Sequence, residues 1–527
     1  MAKKIKLAKD GIKSNYSGGD DYDLIIIGAG VTGLTAGLMW LKNTEGKKTL
    51  IVEKNGYPGG YVTAYQRGDY VFETTQLFPD VIDILEYLDI DLGLREFEGT
   101  YMRSLVVHGD DVDEYRIPVG ADNFAKYLMD IFPEDAHKVK KFVDYSTDLF
   151  SQVRKLKAFP RITDMMAIPF TAPKVVANLN RSYADLLDKI GITNPKLREV
   201  LETFNAFSGI PPDSTSSIIS TGAMLASMTK SFRTVGYFDE FPALMSRLFQ
   251  ERGGEIRLSS TVDKIEVVDG EVVGVRVKGD DAVIRGKRVV TTVDPMVAMR
   301  GLVGDEHLPK KYVKRLDNTL MSPSSFNVAL GLDDGVDLKE LDLDYPFNVI
   351  SSGLGSMERL YEGFLAGKNA FSEDCFHAAV VCPSLTTGAK NTITINVIPL
   401  PMGKWDEWRK NDRKRYTAEK EKMGDFFIKV VEKHFIPELS KCIVEKDIST
   451  PATYARYSGS PTGSIFDMAT TVDQFGPKRL PMKTPIKNLY QPKFAYGIFG
   501  GMMNGLQVVD LILNRAVNDG NSLLNPR

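Results

Sequence analysis

The chain turns on one stretch near its start: Asp23-Leu24-Ile25-Ile26-Ile27-Gly28-Ala29-Gly30-Val31-Thr32-Gly33. Leu24 to Ile27 is a continuous apolar, β-branched run, the mark of a strand buried on both faces of a parallel sheet. A G-x-G-x-x-G spacing follows at once at Gly28, Gly30 and Gly33, and Leu34 to Lys42 reads as a helix. Lys48 to Glu53 is a second strand that ends on a carboxylate, so a single β-α-β unit of about thirty residues opens the fold. Gly28 allows a tight turn, Gly30 lets the backbone approach a pyrophosphate, and Gly33 lets the helix pack on the strand. Ala29 and Thr32 lie between them, where free amides at the helix N-terminus attract phosphate charge. Glu53 is placed to accept hydrogen bonds from a ribose diol, contacts worth about 1.5–3 kcal/mol when charge-assisted. The bland alternative is glycines that serve only as turns. The run Leu24 to Leu41 is about the length of a membrane span, but its glycines fit the dinucleotide turn better, and no transmembrane helix is predicted.

Beyond this unit, 527 residues that are 43% hydrophobic can bury a large core and exclude disorder as the dominant state. A net charge of −3 carries no electrostatic footprint for nucleic acid. Cys375, Cys382 and Cys442 form no metal-spaced pair and no disulfide framework, which points to a reducing, cytoplasmic setting. Lys3, Lys4, Lys6, Lys9 and Lys13 precede any apolar segment, so residues 1–20 read as a disordered basic arm or an electrostatic contact with anionic lipid. Strands are predicted at Tyr101–His108 and Val112–Ile117. A mainly helical region covers about 120–232, and a hairpin with an Asp269-Gly270 turn lies within Asp263–Thr292. Short strands recur from Phe326 to Ile398, Lys404–His434 reads as one long charged helix, and Asn504–Arg515 as the terminal helix. The fold class is therefore α/β, a Rossmann-like dinucleotide-binding domain interleaved with a mixed sheet-plus-helix substrate domain. The first takes residues 21–100, 236–305 and 486–520; the second takes 101–235 and 306–485, with a helical lid at about 120–232.

A second signal decides between dinucleotides. Glu53-Lys54-Asn55-Gly56-Tyr57-Pro58-Gly59-Gly60-Tyr61-Val62 places a double glycine just after the carboxylate. It resembles the second fingerprint of flavoproteins with two dinucleotide-binding domains, where Gly-Gly-Arg wraps the FAD diphosphate. Tyr61 stands where those carry arginine, and a phenol cannot replace a guanidinium's bidentate contact. From Asp23 to about Phe78 the chain is similar to the phytoene desaturase, carotenoid isomerase and retinol saturase group of FAD-dependent oxidoreductases, whose isomerase and saturase branches also lack that arginine. Gly253–Leu258 through Val262–Ile265 resembles the stretch whose valine, here Val262, meets the adenine through its backbone. Thr291–Pro295, with Asp294, matches the return strand, and Lys487–Tyr490 through Gly500-Gly501-Met502-Met503-Asn504-Gly505 sits where that group closes over the isoalloxazine with a helix N-terminus.

The resemblance implies non-covalent FAD held by Gly28, Ala29, Gly30, Thr32, Gly33, Glu53, Lys54, Gly59, Gly60, Tyr61, Val62, Val262, Asp294, Gly500, Gly501, Met502 and Met503. Gly236-Tyr237-Phe238-Asp239 and Phe72-Glu73-Thr74-Thr75 depart from the group's pattern, so the flavin-facing surface is altered. The implied activity is desaturation, saturation or cis–trans isomerisation of a long apolar unsaturated substrate: a carotenoid, another isoprenoid or a fatty acid. The flavin N5 is the expected redox centre and the electron partner is unidentified. An amine-oxidase-like reaction and a flavin-binding protein without catalysis are the alternatives. The catalytic residues are unassigned; Arg67, Glu73 and Tyr496 are candidates for proton transfer, against ordinary structural hydrogen bonding. His108, His137, His307, His377 and His434 show no metal-ligand spacing. Val153–Leu187 mixes basic residues with Phe159, Met165, Met166, Ile168 and Phe170, which suits either an interfacial segment admitting lipid or a lid packed on its own domain. The Met- and aromatic-rich insert is expected to form an apolar tunnel to the flavin or, failing that, a plain helical core.

Overall fold

The computed structural model describes residues 5–19, 21–74, 77–79, 81–156, 162–492 and 497–514. Its organising layer is a five-stranded, all-parallel sheet in the order Glu255–Arg257, Thr49–Val52, Leu24–Ile27, Val289–Thr291, Leu489–Tyr490. Leu24, Ile25, Ile26, Leu50, Ile51, Val289 and Val290 are wholly buried, as both faces of a parallel sheet require. On one face lie the helices Val31–Asn43, Glu240–Glu251 and Gly497–Leu513. The other is covered by a four-stranded sheet built from Asp21–Tyr22, Val283–Gly286 and the hairpin Val262–Val268/Glu271–Val277. Asp269 and Gly270 both have positive φ at the hairpin turn, the geometry an Asp-Gly pair permits.

The second layer is a seven-stranded sheet in the order Ile443–Ser449, Ser324–Leu332, Thr392–Leu400, His377–Val381, Phe347–Ser351, Thr100–His108, Asp111–Pro118. Its pairs are antiparallel except Phe347–Ser351 with Thr100–His108. One face packs on the helix Arg413–His434. The other carries the helical insert, whose Phe124, Phe142, Met224 and Met228 fill a closed core with Leu186, Leu187 and Val200. The apolar side chains read as tunnel lining thus serve packing at these positions.

Three expectations change. Residues 5–19, within the stretch read as a disordered arm, lie against the molecule, with Leu7, Lys9 and Ile12 buried. Lys9 is tolerated inside because its Nζ donates to Thr63 Oγ1 (2.8 Å) and the Ala64 carbonyl, and its backbone N–H to Asp239 (2.9 Å). The long charged helix is two, Trp405–Asn411 and Arg413–His434, because Asp412 leaves helical geometry and its carboxylate caps the second at the Arg415 amide. The terminal helix begins at Gly497, so Gly500 and Gly501 lie inside its first turns rather than before it.

Candidate functional site

Two glycine turns face each other at the C-terminal end of the parallel sheet. Gly28 has φ +104° and Gly59 φ +125°, both open to glycine alone without strain. A Cβ on Gly33 would collide with the Gly28 carbonyl, which is why the helix can follow the strand so closely. The Gly59 amide donates to the Ala29 carbonyl (2.8 Å), locking the second turn on the first. A Cβ on Gly60 would stand 3.2 Å from Gly30 Cα, and one on Gly30 3.9 Å from Gly60 Cα. Side chains on this pair would fill the space between the turns. The helix Val31–Asn43 starts at Gly30 with no side-chain cap, which leaves its first amides to a ligand's oxygens.

Glu53 stands at the end of the neighbouring strand, 6% exposed. Its Oε2 accepts the Ala29 amide and its Oε1 the Asn55 amide, both at 2.8 Å. Burial pushes this carboxyl up, against the pull of those amides and of Lys54. An ionised carboxylate has about four acceptor sites, so two backbone bonds leave room for a diol. Val262 lies just beyond Ser260, whose amide donates to the Glu53 carbonyl (2.8 Å). These residues fit a dinucleotide: the glycine turns could take a diphosphate and Glu53 could accept from a ribose diol.

One segment escaped the sequence reading. The helix Pro451–Ser458 and the turn to Ser464 lie over the predicted cofactor residues. Tyr61 donates its phenol to the Ser464 carbonyl (2.7 Å), and its ring centroid is 6.3 Å from that of Tyr454. Lys54 Nζ donates to the Arg456 carbonyl (3.3 Å), and Ser460 donates to Asp294 Oδ2 (2.7 Å). Tyr61, which stands where a phosphate-binding arginine is usual, thus anchors this cover. The signals were Thr450-Pro451, a helix start, and Gly459-Ser460-Pro461-Thr462-Gly463, a turn cluster; neither says where the segment lands. Asp294 Oδ1 also accepts the Met296 amide (2.8 Å), holding the chain where it leaves the sheet.

The terminal helix crosses the fingerprint helix at its start. A Cβ on Gly501 would stand 3.4 Å from Thr32 Oγ1 and 3.5 Å from Val31 Cγ1, and one on Gly505 would be 2.7 Å from the Thr32 carbonyl. Gly500 and Gly501 are buried within the first turns of this helix. Met502 is wholly buried in the core with Leu34 and Leu506; Met503 is the half-buried member of the pair. Val62 is buried beside the second turn.

Two of the candidates for proton transfer are held in ion pairs. Glu73 is buried and paired with Arg233, and its Oε1 accepts the Phe238 amide (2.6 Å). Arg67 sits half-exposed on a hairpin beside Asp447 (3.4 Å). Tyr496 lies outside the described residues, as do Lys3, Lys4, Lys157, Phe159, Arg161 and Arg515.

The fold and the paired glycine turns define a class, the two-layer flavoproteins whose dinucleotide lies along a parallel sheet. The chain belongs to the family of flavin-containing amine oxidoreductases, whose description matches residues 31–374. FAD is its cofactor, and it is an FAD-dependent oxidoreductase. Prolycopene isomerase of Daucus carota is 21% identical over 476 residues, 85% of this chain and 72% of that one. The lycopene-forming phytoene desaturase of a Paracoccus species is 24% identical over 467 residues, 85% and 88% of the two chains. Among solved structures, putrescine oxidase bound to putrescine superposes with a TM-score of 0.63 at 15% identity, covering 94% of this chain and 99% of that one, a likeness of fold.

Proposed function

We propose that the protein acts on carbon–carbon double bonds of a long apolar polyene, a carotenoid or related isoprenoid, with non-covalently bound FAD. The observation that carries this is the match to carotenoid isomerases and desaturases along most of the chain, joined to the two glycine turns and Glu53. FAD, when bound, supplies a hydride-accepting and hydride-donating centre at its N5. The chain's own residues do the rest. The first amides of Val31–Asn43 and the Gly59-Gly60 turn take the diphosphate charge, Glu53 the ribose hydroxyls, and the backbone at Val262 the adenine. The segment Pro451–Ser464 shields this array from water, with Tyr61 and Asp294 as its anchors.

An interfacial route for the substrate follows from the insert. Its helix Ile162–Thr171 exposes Met165, Met166 and Phe170, the last 86% exposed, beside the Lys174 end of the next helix. Exposed apolar side chains of this kind suit the boundary of a bilayer. No helix of the described residues is long and apolar enough to cross a membrane.

The test supplies the protein, purified with its flavin, with a cis-polyene from lipid vesicles. One arm keeps the flavin oxidised and the other reduces it. Loss of two hydrogens from the polyene identifies a desaturase, gain of two a saturase, and a geometric isomer of unchanged mass an isomerase. Inertness towards every polyene, with flavin reduction by an alkyl amine, would replace this reading with the amine-oxidase one. Acid treatment should release intact FAD; flavin that stays with the polypeptide would reject non-covalent binding.

A further inference from the structure

A side-chain cluster at the far edge of the seven-stranded sheet is not used by anything above. His108 closes the strand Thr100–His108, Asp113 lies on the return strand Asp111–Pro118, and Glu199 comes from the helix Pro195–Glu202 of the insert. One ligand atom from each falls within 4.8 Å of the others. His108 Nε2 is 3.5 Å from Asp113 Oδ2 and 3.4 Å from Glu199 Oε2. A tetrahedral ion bound at about 2.0–2.1 Å separates its ligand atoms by about 3.3–3.4 Å, so both distances are close to those of a coordination shell.

Glu199 supplies an independent indication. Its side chain is 6% exposed. Oε1 accepts the Leu354 amide (3.3 Å), while the buried Oε2 has only the imidazole facing it, at a long 3.4 Å. A carboxylate oxygen held out of water with so weak a partner is costly unless a cation satisfies it. The backbone closes one side: a Cβ on Gly353 would stand 3.0 Å from His108 Cε1 and 3.4 Å from Glu199 Oε1. His108, 39% exposed at its side chain, leaves the other side open to a water ligand. One imidazole and two carboxylates suit borderline first-row cations rather than soft ones.

We infer that His108 Nε2, Asp113 Oδ2 and Glu199 Oε2 form a binding site for a divalent transition cation of the Zn2+ type. Its fourth ligand is water. Lys196 competes for the site, since its Nζ lies 3.0 Å from Asp113 Oδ1 and 2.8 Å from Oδ2. The side chain is 60% exposed and free to swing into solvent when a cation takes Oδ2. The bound ion ties the sheet's edge hairpin to the helical insert, and so braces the two against each other. Spacing in the sequence conceals the site, because its three ligands come from two strands and a distant helix.

The test uses the flavin-loaded protein stripped with a chelator. It is titrated calorimetrically with ZnCl2 and analysed for retained metal after dialysis. About one equivalent of Zn2+ per chain is expected. His108→Ala and Glu199→Gln should each weaken binding at least about tenfold. Lys196→Met should tighten it, because a competing charge is removed. Saturating Zn2+ should raise the parent's Tm by about 2 °C or more with flavin content unchanged. The flavin readout keeps failure here distinct from failure of the cofactor reading. Absence of binding up to about 1 mM Zn2+, or binding that His108→Ala and Glu199→Gln leave intact, overturns the site. If the parent takes no metal yet His108→Ala lowers Tm, the cluster is a metal-free brace between hairpin and helix, and the proposal is likewise overturned.

Discussion

Glu53 and Glu73 end two strands of the N-terminal part of the chain, both nearly inaccessible, and they have opposite fates. Glu53 is held by the backbone amides of Ala29 and Asn55 at the mouth between two glycine turns. Glu73 is held by the Arg233 guanidinium and the Phe238 amide inside the protein. Burial pushes both carboxyls up, yet the first is met by backbone amides and the second by a guanidinium. Two backbone donors leave a carboxylate able to bind hydroxyls. A guanidinium in close contact commits it to bracing the hairpin Ala64–Arg67/Tyr70–Glu73 against the strand Ser231–Thr234. A strand-end carboxylate therefore acquires its role from its donors, not from its position in a motif.

The largest effect tests the brace. Arg233→Met leaves Glu73 buried without its cation and should cost about 3–5 kcal/mol of stability in urea unfolding. The double variant Glu73→Gln/Arg233→Met should recover much of that. Equal losses in the single and double variants would show that the pair is not the reason these residues matter.

A buried ionisable group with neither kind of donor sharpens the contrast. His377, on the seven-stranded sheet, has no hydrogen bond on either ring nitrogen, and burial lowers its pKa from 6.5 to about 4. The unfolded chain then binds the proton that the folded chain refuses. Stability is full above pH 6.5 and falls as pH drops through this window, by up to about 3 kcal/mol. His377→Leu should flatten that part of the pH–stability profile; a parent and variant with parallel profiles would contradict the assignment.

Glu53→Gln addresses the other carboxylate. Glutamine brings one acceptor oxygen to the two N–H groups of Ala29 and Asn55, so one of them meets an NH2 donor, and the carboxylate charge is gone. Flavin affinity should fall about tenfold, equivalent to about 1.4 kcal/mol, in equilibrium dialysis. Unfolding of the flavin-free protein should move far less. A large loss of stability with unchanged flavin affinity would make Glu53 a structural residue like Glu73.

The smallest effect concerns the cover. Ser460→Ala removes one hydrogen bond to Asp294, worth about 0.5–1.5 kcal/mol, and should speed flavin release severalfold without altering absorbance of the bound flavin. An unchanged release rate would separate the segment Pro451–Ser464 from cofactor retention.

What the amino-acid order settled unaided is what depends on neighbours in the chain. The buried strand Leu24–Ile27, the turn at Gly28–Gly33, the helix after it and the Asp269-Gly270 hairpin each follow from side-chain periodicity and positive-φ demands within a dozen residues. Asp412, which divides a helix that charge patterning alone runs together, was readable in principle as a cap. Tertiary structure decided the rest. Phe347–Ser351 pairs in parallel with Thr100–His108 across most of the chain's middle. Lys9 is buried because Thr63, Ala64 and Asp239 wait for it, and Tyr61 donates to the Ser464 carbonyl, 403 residues away. Glu73 became a brace because Arg233 reaches it. No local pattern announces such contacts: a polar side chain's environment is set by what folds over it, and the partners that satisfy a buried charge come from wherever the backbone brings them.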